Sequence, residues 1–463
     1  MAGFVPLASS PAISSTSVKL ISECFITPID DLSPEQKQPI HFTPFELPWL
    51  NVKYSQKGLL FAKPPSPDFS ITTFLNDLQH SLSATLTHFY PLAARFTTQK
   101  QQNPSSYVVY LDPSNTPGVK FVYATTDARI SNVLSPPHVP LLVHSFFDLN
   151  EAIAHDGHTL PVLSVQVTEL GDGIFIGCSV NHMVADGTSF WHFMTSWSEI
   201  FQSKRPYHGT ISRLPIFKRW VLDGSDDPII SIPYTHHDQF IDRLKIPLFK
   251  ERFFSFSSTA ISKLKATANS ECDTHKISSL QAVIALLWRC ITRARCLSHD
   301  SETSCSLMIS VRPRLTPPLS DEYFGNPVQF VGGKATVGDL LSQGLGWAAF
   351  RLHEAVINHD DKAIKGSLES WIKSPVIYKM SELGDRNMVH VGSSPRFDMY
   401  GCEFGLGKAV AARSGCTNKM DGKITMYPGR EGGGSMDVEV CLLPENMKII
   451  ESDEELMNAV AIH

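Results

Sequence analysis

Apolar residues recur along the chain with the two periods of regular secondary structure. Leu75, Leu78, Leu82, Leu86 and Phe89 fall three and four apart, a stripe down one face of a helix that Pro91 closes, because proline donates no backbone hydrogen bond. Phe190, Phe193, Met194, Trp197, Ile200 and Phe201 predict a second amphipathic helix. Ahead of it, Pro161 to Thr168 and Ile174 to Val180 are two β-rich runs joined through Asp172-Gly173, a strong hairpin signal. Val18 to Phe61 alternates short β-branched runs with Pro28, Pro39, Pro44 and Pro48, which suits strands and loops. Farther on, Ser278-Ser-Leu-Gln281 is a capping box opening a helix that carries Val283, Leu286, Leu287 and Cys290. Leu307 to Val311 and Val328 to Val331 read as strands. Met436 to Leu442 alternates apolar with acidic residues, as a half-buried strand would.

Between Arg205 and Pro247 the periodicity lapses, prolines recur and polar clusters such as His236-His237-Asp238 appear, so an exposed crossover is expected there. The chain has 463 residues, enough at ~150 per domain for two or three units. No internal repeat with a fixed period is visible. The pattern predicts an α/β protein of two domains, 1–204 and 248–463, joined by a linker over 205–247.

Composition narrows the function. At 42% hydrophobic and 19% charged residues, the chain has the make-up of a folded globular protein. A formal charge of −6 gives no overall field for nucleic acid or an anionic membrane. The longest apolar runs, such as Ala282 to Trp288, fall well short of the ~20 residues a membrane span needs. Met1 to Leu20 is Ser-rich with Lys19 its only cation, unlike a signal peptide, and Ala461-Ile462-His463 matches no retention or peroxisomal tripeptide. Cytoplasmic residence is therefore expected. Nine cysteines without C-x-x-C spacing argue against a disulfide framework or a thiolate metal site, and Cys178, Cys290 and Cys441 lie inside apolar patterns as small hydrophobes.

The sharpest candidate for chemistry is Val180-Asn-His182-Met-Val-Ala-Asp186-Gly187, where a strand ends and a helix begins. Such an edge exposes a side chain on rigid backbone. His182 suits proton transfer near neutral pH, and the adjacent helix N-terminus favours its neutral, basic form. H-x-x-x-D spacing also arises by chance, and Asp186 has an ordinary role as the helix N-cap, worth about 1 kcal/mol. Two glycine-rich stretches follow, Gly401-Cys-Glu403-Phe404-Gly405-Leu406-Gly407-Lys408 and Tyr427 to Ser435. The first reads as a tight turn needing positive φ, the second as a loop whose amides could hold an anion. Neither has the spacing of a Walker loop or a dinucleotide fingerprint.

Taken together and in this order, these motifs resemble those of the plant BAHD (HXXXD-type) CoA-dependent acyltransferases, with H-x-x-x-D-G and D-F-G-W-G as their signatures. Ser81 to Leu86, Phe89-Tyr-Pro-Leu-Ala-Ala-Arg95, Val311-Arg312-Pro-Arg314 and Tyr323-Phe-Gly-Asn326 extend the likeness over nearly the whole chain. The resemblance implies two chloramphenicol-acetyltransferase-like domains with a solvent channel between them, a monomer without metal or permanently bound cofactor, and acyl-CoA as co-substrate. His182 would be the general base that deprotonates a hydroxyl or amine of a plant specialised metabolite, a small-molecule acceptor. Asp186 would turn away from the channel to pair with an arginine, Arg312 before Arg314, and with Gly187 would support the histidine loop. The sequence departs from the family where Glu403 replaces aspartate and Leu406 replaces tryptophan, and where Ser393-Ser394-Pro395 stands in place of a Ser-Trp that lines the acceptor pocket. Ser393 or Ser394 could offer an oxyanion donor, although serine before proline also simply forms turns. The same departures leave open a CoA-independent lyase, as in salicylate formation from an isochorismate conjugate, and an inactive binding scaffold. Phe42, Phe45, Trp49 and Trp191 read as core, Glu46 and Lys57 carry no assignable role, and Lys263, Lys265, Lys276 and Arg430 are equal candidates for CoA phosphates.

Overall fold

The predicted hairpin forms the middle of the larger assembly. In a computed structural model that describes residues 17–203, 210–222, 229–243, 247–379 and 387–460, strands Leu163–Glu169 and Gly173–Val180 pair antiparallel from Leu163 opposite Val180 to Glu169 opposite Ile174. Lys19–Ile26 and Val119–Thr125 extend the sheet on one side, Ser55–Ala62 and Ala411–Ser414 on the other, giving six strands. A second six-stranded sheet runs Lys250–Phe256, Met436–Leu442, Lys423–Pro428, Met388–Gly392, Glu302–Ser310 and Val328–Thr336. Both sheets are mixed, since Val119–Thr125 lies parallel to Leu163–Glu169 and Met388–Gly392 lies parallel to both of its neighbours. Two α/β lobes result. The N-terminal segment 1–16, the closing tripeptide and the start of the crossover at Arg205 fall outside the described residues.

Period-3.6 apolar stripes become the helices that cover these sheets. The first stripe is helix Ile71–His88, N-capped by Ser70 and ended ahead of Pro91; the second is Gly187–Gln202, capped by Asp186. The two pack together on the first sheet, where Leu78, Leu82 and Trp197 are fully buried. In the other lobe, Ser278 accepts from the Gln281 amide at 3.2 Å while Gln281 Oε1 accepts from the Ser278 amide at 2.8 Å, opening helix Ser279–Ala294 with the predicted capping box. That helix is buried along nearly its whole length.

Two expectations need correction. The strand Met436–Leu442 is not half-exposed: Val438 and Val440 enter the core of its own lobe, while Glu439, only 1% exposed, points the other way into the contact between lobes. The crossover is also less exposed than its composition suggests. Ser231–Ile232 pairs with strand Ser105–Asp112, and Ile232 and Phe240 are buried. Among the described residues no helix is long and apolar enough to cross a membrane. All nine cysteines are free, and Cys178, Cys290 and Cys441 are buried as expected.

Ser278→Ala removes a cap and leaves the first-turn amides of a buried helix short of an acceptor. A loss of about 1 kcal/mol in denaturant unfolding of the C-terminal lobe is expected; an unchanged midpoint would contradict the role given to the box.

Candidate active site

Alternation along the second sheet builds one wall of the site. Cys305, Leu307, Val389, Val391, Ile424, Met426, Val438 and Val440 fill the core of their own lobe. Because strand side chains alternate between faces, Ser306, Met308, His390, Lys423, Thr425, Tyr427 and Glu439 face the first lobe instead. Met308, Phe330 and Tyr427 pack on the first lobe's core, so the seam mixes apolar contact with polar and charged groups. His182 arrives from the other side, two residues past the end of strand Gly173–Val180.

The histidine loop is built by its neighbours. Asn181, fully buried, donates from Nδ2 to the Ala154 carbonyl at 2.8 Å and accepts from the Met183 amide at 3.1 Å, folding an Asx turn around position 182. The Asp186 amide donates to the Gly325 carbonyl at 3.0 Å. Asp186 Oδ1 accepts from the Ser189 amide at 2.9 Å, so the aspartate is the helix N-cap. It also meets Arg312: Nη1 donates to Oδ2 at 2.5 Å and Nη2 to Oδ1 at 3.1 Å. The two side chains are 1% and 2% exposed. Arg312 Nη2 further donates to the Tyr323 carbonyl at 2.8 Å and to Ser189 Oγ at 3.1 Å. Both roles foreseen for Asp186, cap and ion pair, are filled at once. Arg314, the weaker candidate, points elsewhere and donates to the carbonyls of Val356 and His359.

Gly187 has a steric reason to lack a side chain, since a Cβ there would come within 2.7 Å of the Phe397 ring. Phe397 belongs to the turn after strand Met388–Gly392, which holds the two serines. Ser394 Oγ accepts from the Arg396 amide at 3.2 Å, the turn role expected before Pro395. Ser393 is different: its backbone is left-handed at φ 65°, and its hydroxyl is buried without a partner among the described residues.

His182 lies flat against Trp49, with ring centroids 4.9 Å apart and planes inclined by 16°. Trp49 in turn stacks on Phe330 and meets the edge of Tyr378. Sequence reading placed Trp49 in the core; it is buried, but it is also a face of the site. Nothing in its local sequence marks this, because its partners come from positions 182, 330 and 378. Glu46, passed over as well, is fully buried and accepts from the Thr43 and Asn326 amides and from Arg219 of the crossover, the last at 3.4 Å. It thus supports the Tyr323–Asn326 segment that receives Asp186.

Burial is the largest cause of a lowered His182 pKa, with Lys57 and Lys423 adding to it and Asp186 opposing it. The helix N-terminus invoked from sequence points the same way, yet burial leads. Nδ1 is enclosed and finds no partner of hydrogen-bond geometry among the described residues, while the residue as a whole is only half-buried. Its accessible edge is therefore the one carrying Nε2.

The Glu403–Gly407 motif sits elsewhere. Phe404 is fully buried at φ 47°, with its ring edge-on to Trp197 at 4.8 Å and to Phe61 at 6.4 Å. The Glu403 amide donates to Ser198 Oγ at 3.1 Å. Trp197 and Ser198 lie about 15 Å along the helix from Gly187, at ~1.5 Å per residue. Gly405 and Gly407 take the predicted positive φ, 68° and 78°. Leu406 packs half-buried on the same core. The second glycine-rich stretch is a hairpin loop, and the Gly429, Gly432 and Ser435 amides are spent on its own carbonyls, so it offers less to an anion than expected. Lys263, Lys265, Lys276 and Arg430 are all exposed.

Among the described residues, two groups bring enough donor atoms together to hold a metal. His236, His237 and Asp238 are exposed on the crossover, and Cys290, Asp453 and Glu455 lie near the chain's end. The second is already neutralised by Arg293, which donates to Asp453 at 2.8 Å and also reaches Glu455. Neither group touches His182.

Arg312→Met leaves Asp186 buried and uncompensated. A loss of about 3–5 kcal/mol is expected, read as reduced soluble yield and a lower thermal midpoint; a variant as stable as the parent would overturn the structural weight given to this pair.

Comparison with known proteins agrees with the geometry. A family model described as the Transferase family matches residues 17–457. An Arabidopsis thaliana protein named as an uncharacterized acetyltransferase, At3g50280, is 37% identical over 448 residues, covering 95% of this chain and 98% of its own. The BAHD acyltransferase DCR of Arabidopsis thaliana is 32% identical over 455 residues, 95% and 93% of the two chains. Among solved structures, vinorine synthase superposes with a TM-score of 0.72 over 96% of this chain and 98% of its own, at 19% identity, a likeness of fold. Family match, whole-length identity and two-lobed fold agree, and the chain belongs to the plant BAHD acyltransferases of the Transferase family.

Proposed function

We propose that this protein transfers an acyl group from acyl-CoA to a hydroxyl or amine of a small plant metabolite, with His182 as general base. The observation that carries the reading is a coincidence of depth and access. His182, Lys57 and Lys423 lie deep enough for burial to dominate their titration, yet each keeps part of its surface. Polar side chains that are deep yet partly accessible at the seam between two lobes are what a reacting site placed there requires.

The chemistry follows from those positions. A neutral imidazole accepts the acceptor's proton at Nε2 as the oxygen or nitrogen attacks the thioester carbonyl. Ser393 Oγ, enclosed and unpartnered, would donate to the oxyanion that forms. Collapse expels a CoA thiolate, whose parent thiol has a pKa near ~8.5 and needs little help to leave. No covalent enzyme intermediate is required, and acyl-CoA is a co-substrate, not a resident group. Asp186, Gly187 and Arg312 hold the loop, and Glu403, Phe404, Gly405, Leu406 and Gly407 brace the far end of the same helix. On this reading the chain divides into 1–204, a crossover 205–247, and 248–463, the last unit lending strand Ala411–Ser414 to the first sheet, and it works as a cytoplasmic monomer.

His182→Ala should lower thiol release from acyl-CoA across an acceptor panel by about 10²–10⁴ without loss of folded protein. Product formation that persists undiminished without acyl-CoA would replace transfer by the lyase reading, and an unaltered product profile in the variant would leave only a scaffold. Because the folded pKa of His182 is lowered, the base form is present throughout neutral pH. The acid limb of kcat/KM should fall below the ordinary histidine value of ~6.5; a limb above it would contradict the assignment.

A further inference from the structure

Ammonium groups outnumber carboxylates where the lobes meet beside His182. Lys419 is fully engaged: it donates to Glu439 at 2.7 Å and to Ser414 Oγ at 2.9 Å, and its ammonium lies 3.0 Å from a Glu251 oxygen as an ion pair. The other Glu439 oxygen accepts from Ser414 at 2.6 Å and from the Tyr427 hydroxyl at 2.9 Å. Glu251 also meets His144 at 3.0 Å. Both carboxylates are thus committed, and among the described residues Lys57 and Lys423 have none of their own. Lys57 Nζ lies 4.9 Å from the centre of the Tyr427 ring and 3.5 Å from its hydroxyl. Lys423 Nζ makes no hydrogen bond or ion pair among the described residues. It lies over Gly392, where a Cβ would come within 2.9 Å of it, next to the unpartnered Ser393.

Burial, with Glu439 opposing it, brings the Lys57 amine down to about 7; burial and Lys419 bring Lys423 to about 8, with Cys441 and Glu439 opposing. Buried cations without counter-charge are costly, and these two stand where both bear on the charge of the reacting histidine. Loss of the proton relieves that cost in the protein alone, and an entering anion would instead restore the charge.

We propose that Lys57 and Lys423 form a two-amine seat for a carboxylate between the lobes beside His182, so that one of the two reactants, acceptor or acyl chain, is itself a carboxylic acid. The inference rests on the transfer reading and specifies its substrate class. The alternative source of negative charge is the phosphate end of CoA. A pantetheine arm separates those phosphates from the thioester, whereas Lys57 and Lys423 both act on the charge of His182.

The test reads the amines themselves. Full-length protein is pulse-acetylated near neutral pH with a small neutral reagent, and labelling of Lys57 and Lys423 is followed by peptide mass spectrometry against exposed Lys263. Benzoate, 4-hydroxycinnamate and glutarate are compared with their amides, and CoA forms a separate arm. A bound carboxylate raises both amine pKa values, and each unit upward reduces the reactive free base about tenfold. Slowing of that order by at least one carboxylate at both lysines, absent with the amides, is expected, together with its loss at Lys423 in Lys57→Met and its retention in Lys57→Arg. Equal protection by amides, protection by CoA alone, or protection by none of the probes would overturn the proposal. Because labelling does not depend on turnover, failure here leaves His182-dependent transfer standing, and failure of transfer leaves the seat standing.

Discussion

One buried ion pair holds the two lobes in register beside His182. Arg312 grips Asp186 with both terminal nitrogens, and both side chains are almost wholly withdrawn from water. Stripping solvent from two charges costs several kcal/mol per ion, which their attraction offsets only with good geometry and further hydrogen bonds. Those bonds are present: Ser189 and the Tyr323 carbonyl take the guanidinium, and the Ser189 amide takes the carboxylate. A salt bridge so placed specifies position more than it adds stability. It fixes the start of helix Gly187–Gln202 against the Tyr323–Asn326 segment of the other lobe, and the histidine four residues earlier is held between them.

The helix so anchored has two ends with different duties. Its first turn carries the loop of His182; its last turns carry Trp197, Ser198 and Phe201, onto which Phe404 folds. The motif around Phe404 therefore packs on the end of the helix opposite the His182 loop. This explains how Glu403 and Leu406 can depart from the family pattern. Glu403 is held by its backbone amide, and Leu406 needs only to cover the same apolar ground. Phe404, at the centre of the ring cluster, keeps its identity.

Local features were legible in the sequence, and contacts between distant segments were not. Helix stripes, the Asp172-Gly173 hairpin, the Ser278 capping box and the Asp186 cap all depend on residues within one or two turns of each other, so spacing alone reveals them. Arg312 was reached through family resemblance, since its partner lies 126 positions away. Trp49, Glu46 and Lys57 carry no local mark for the same physical reason, as the groups they meet lie far away in sequence. Glu439 was misjudged because alternation tells which residues share a face and not whether that face meets water. In this protein the second face of the sheet meets another lobe, and the acid serves Lys419.

The central claim is that the Asp186–Arg312 pair keeps His182 deep and neutral between the lobes. Histidine-selective ¹⁵N nuclear magnetic resonance, following the His182 ring through a pH titration in the parent and in Asp186→Asn/Arg312→Met, tests it most directly. The account predicts a parent midpoint below the ordinary value of ~6.5 and a midpoint that climbs toward that value once the loop is released. A parent ring titrating at or above ~6.5, or a double variant whose folded protein titrates at the same pH as the parent, would contradict it.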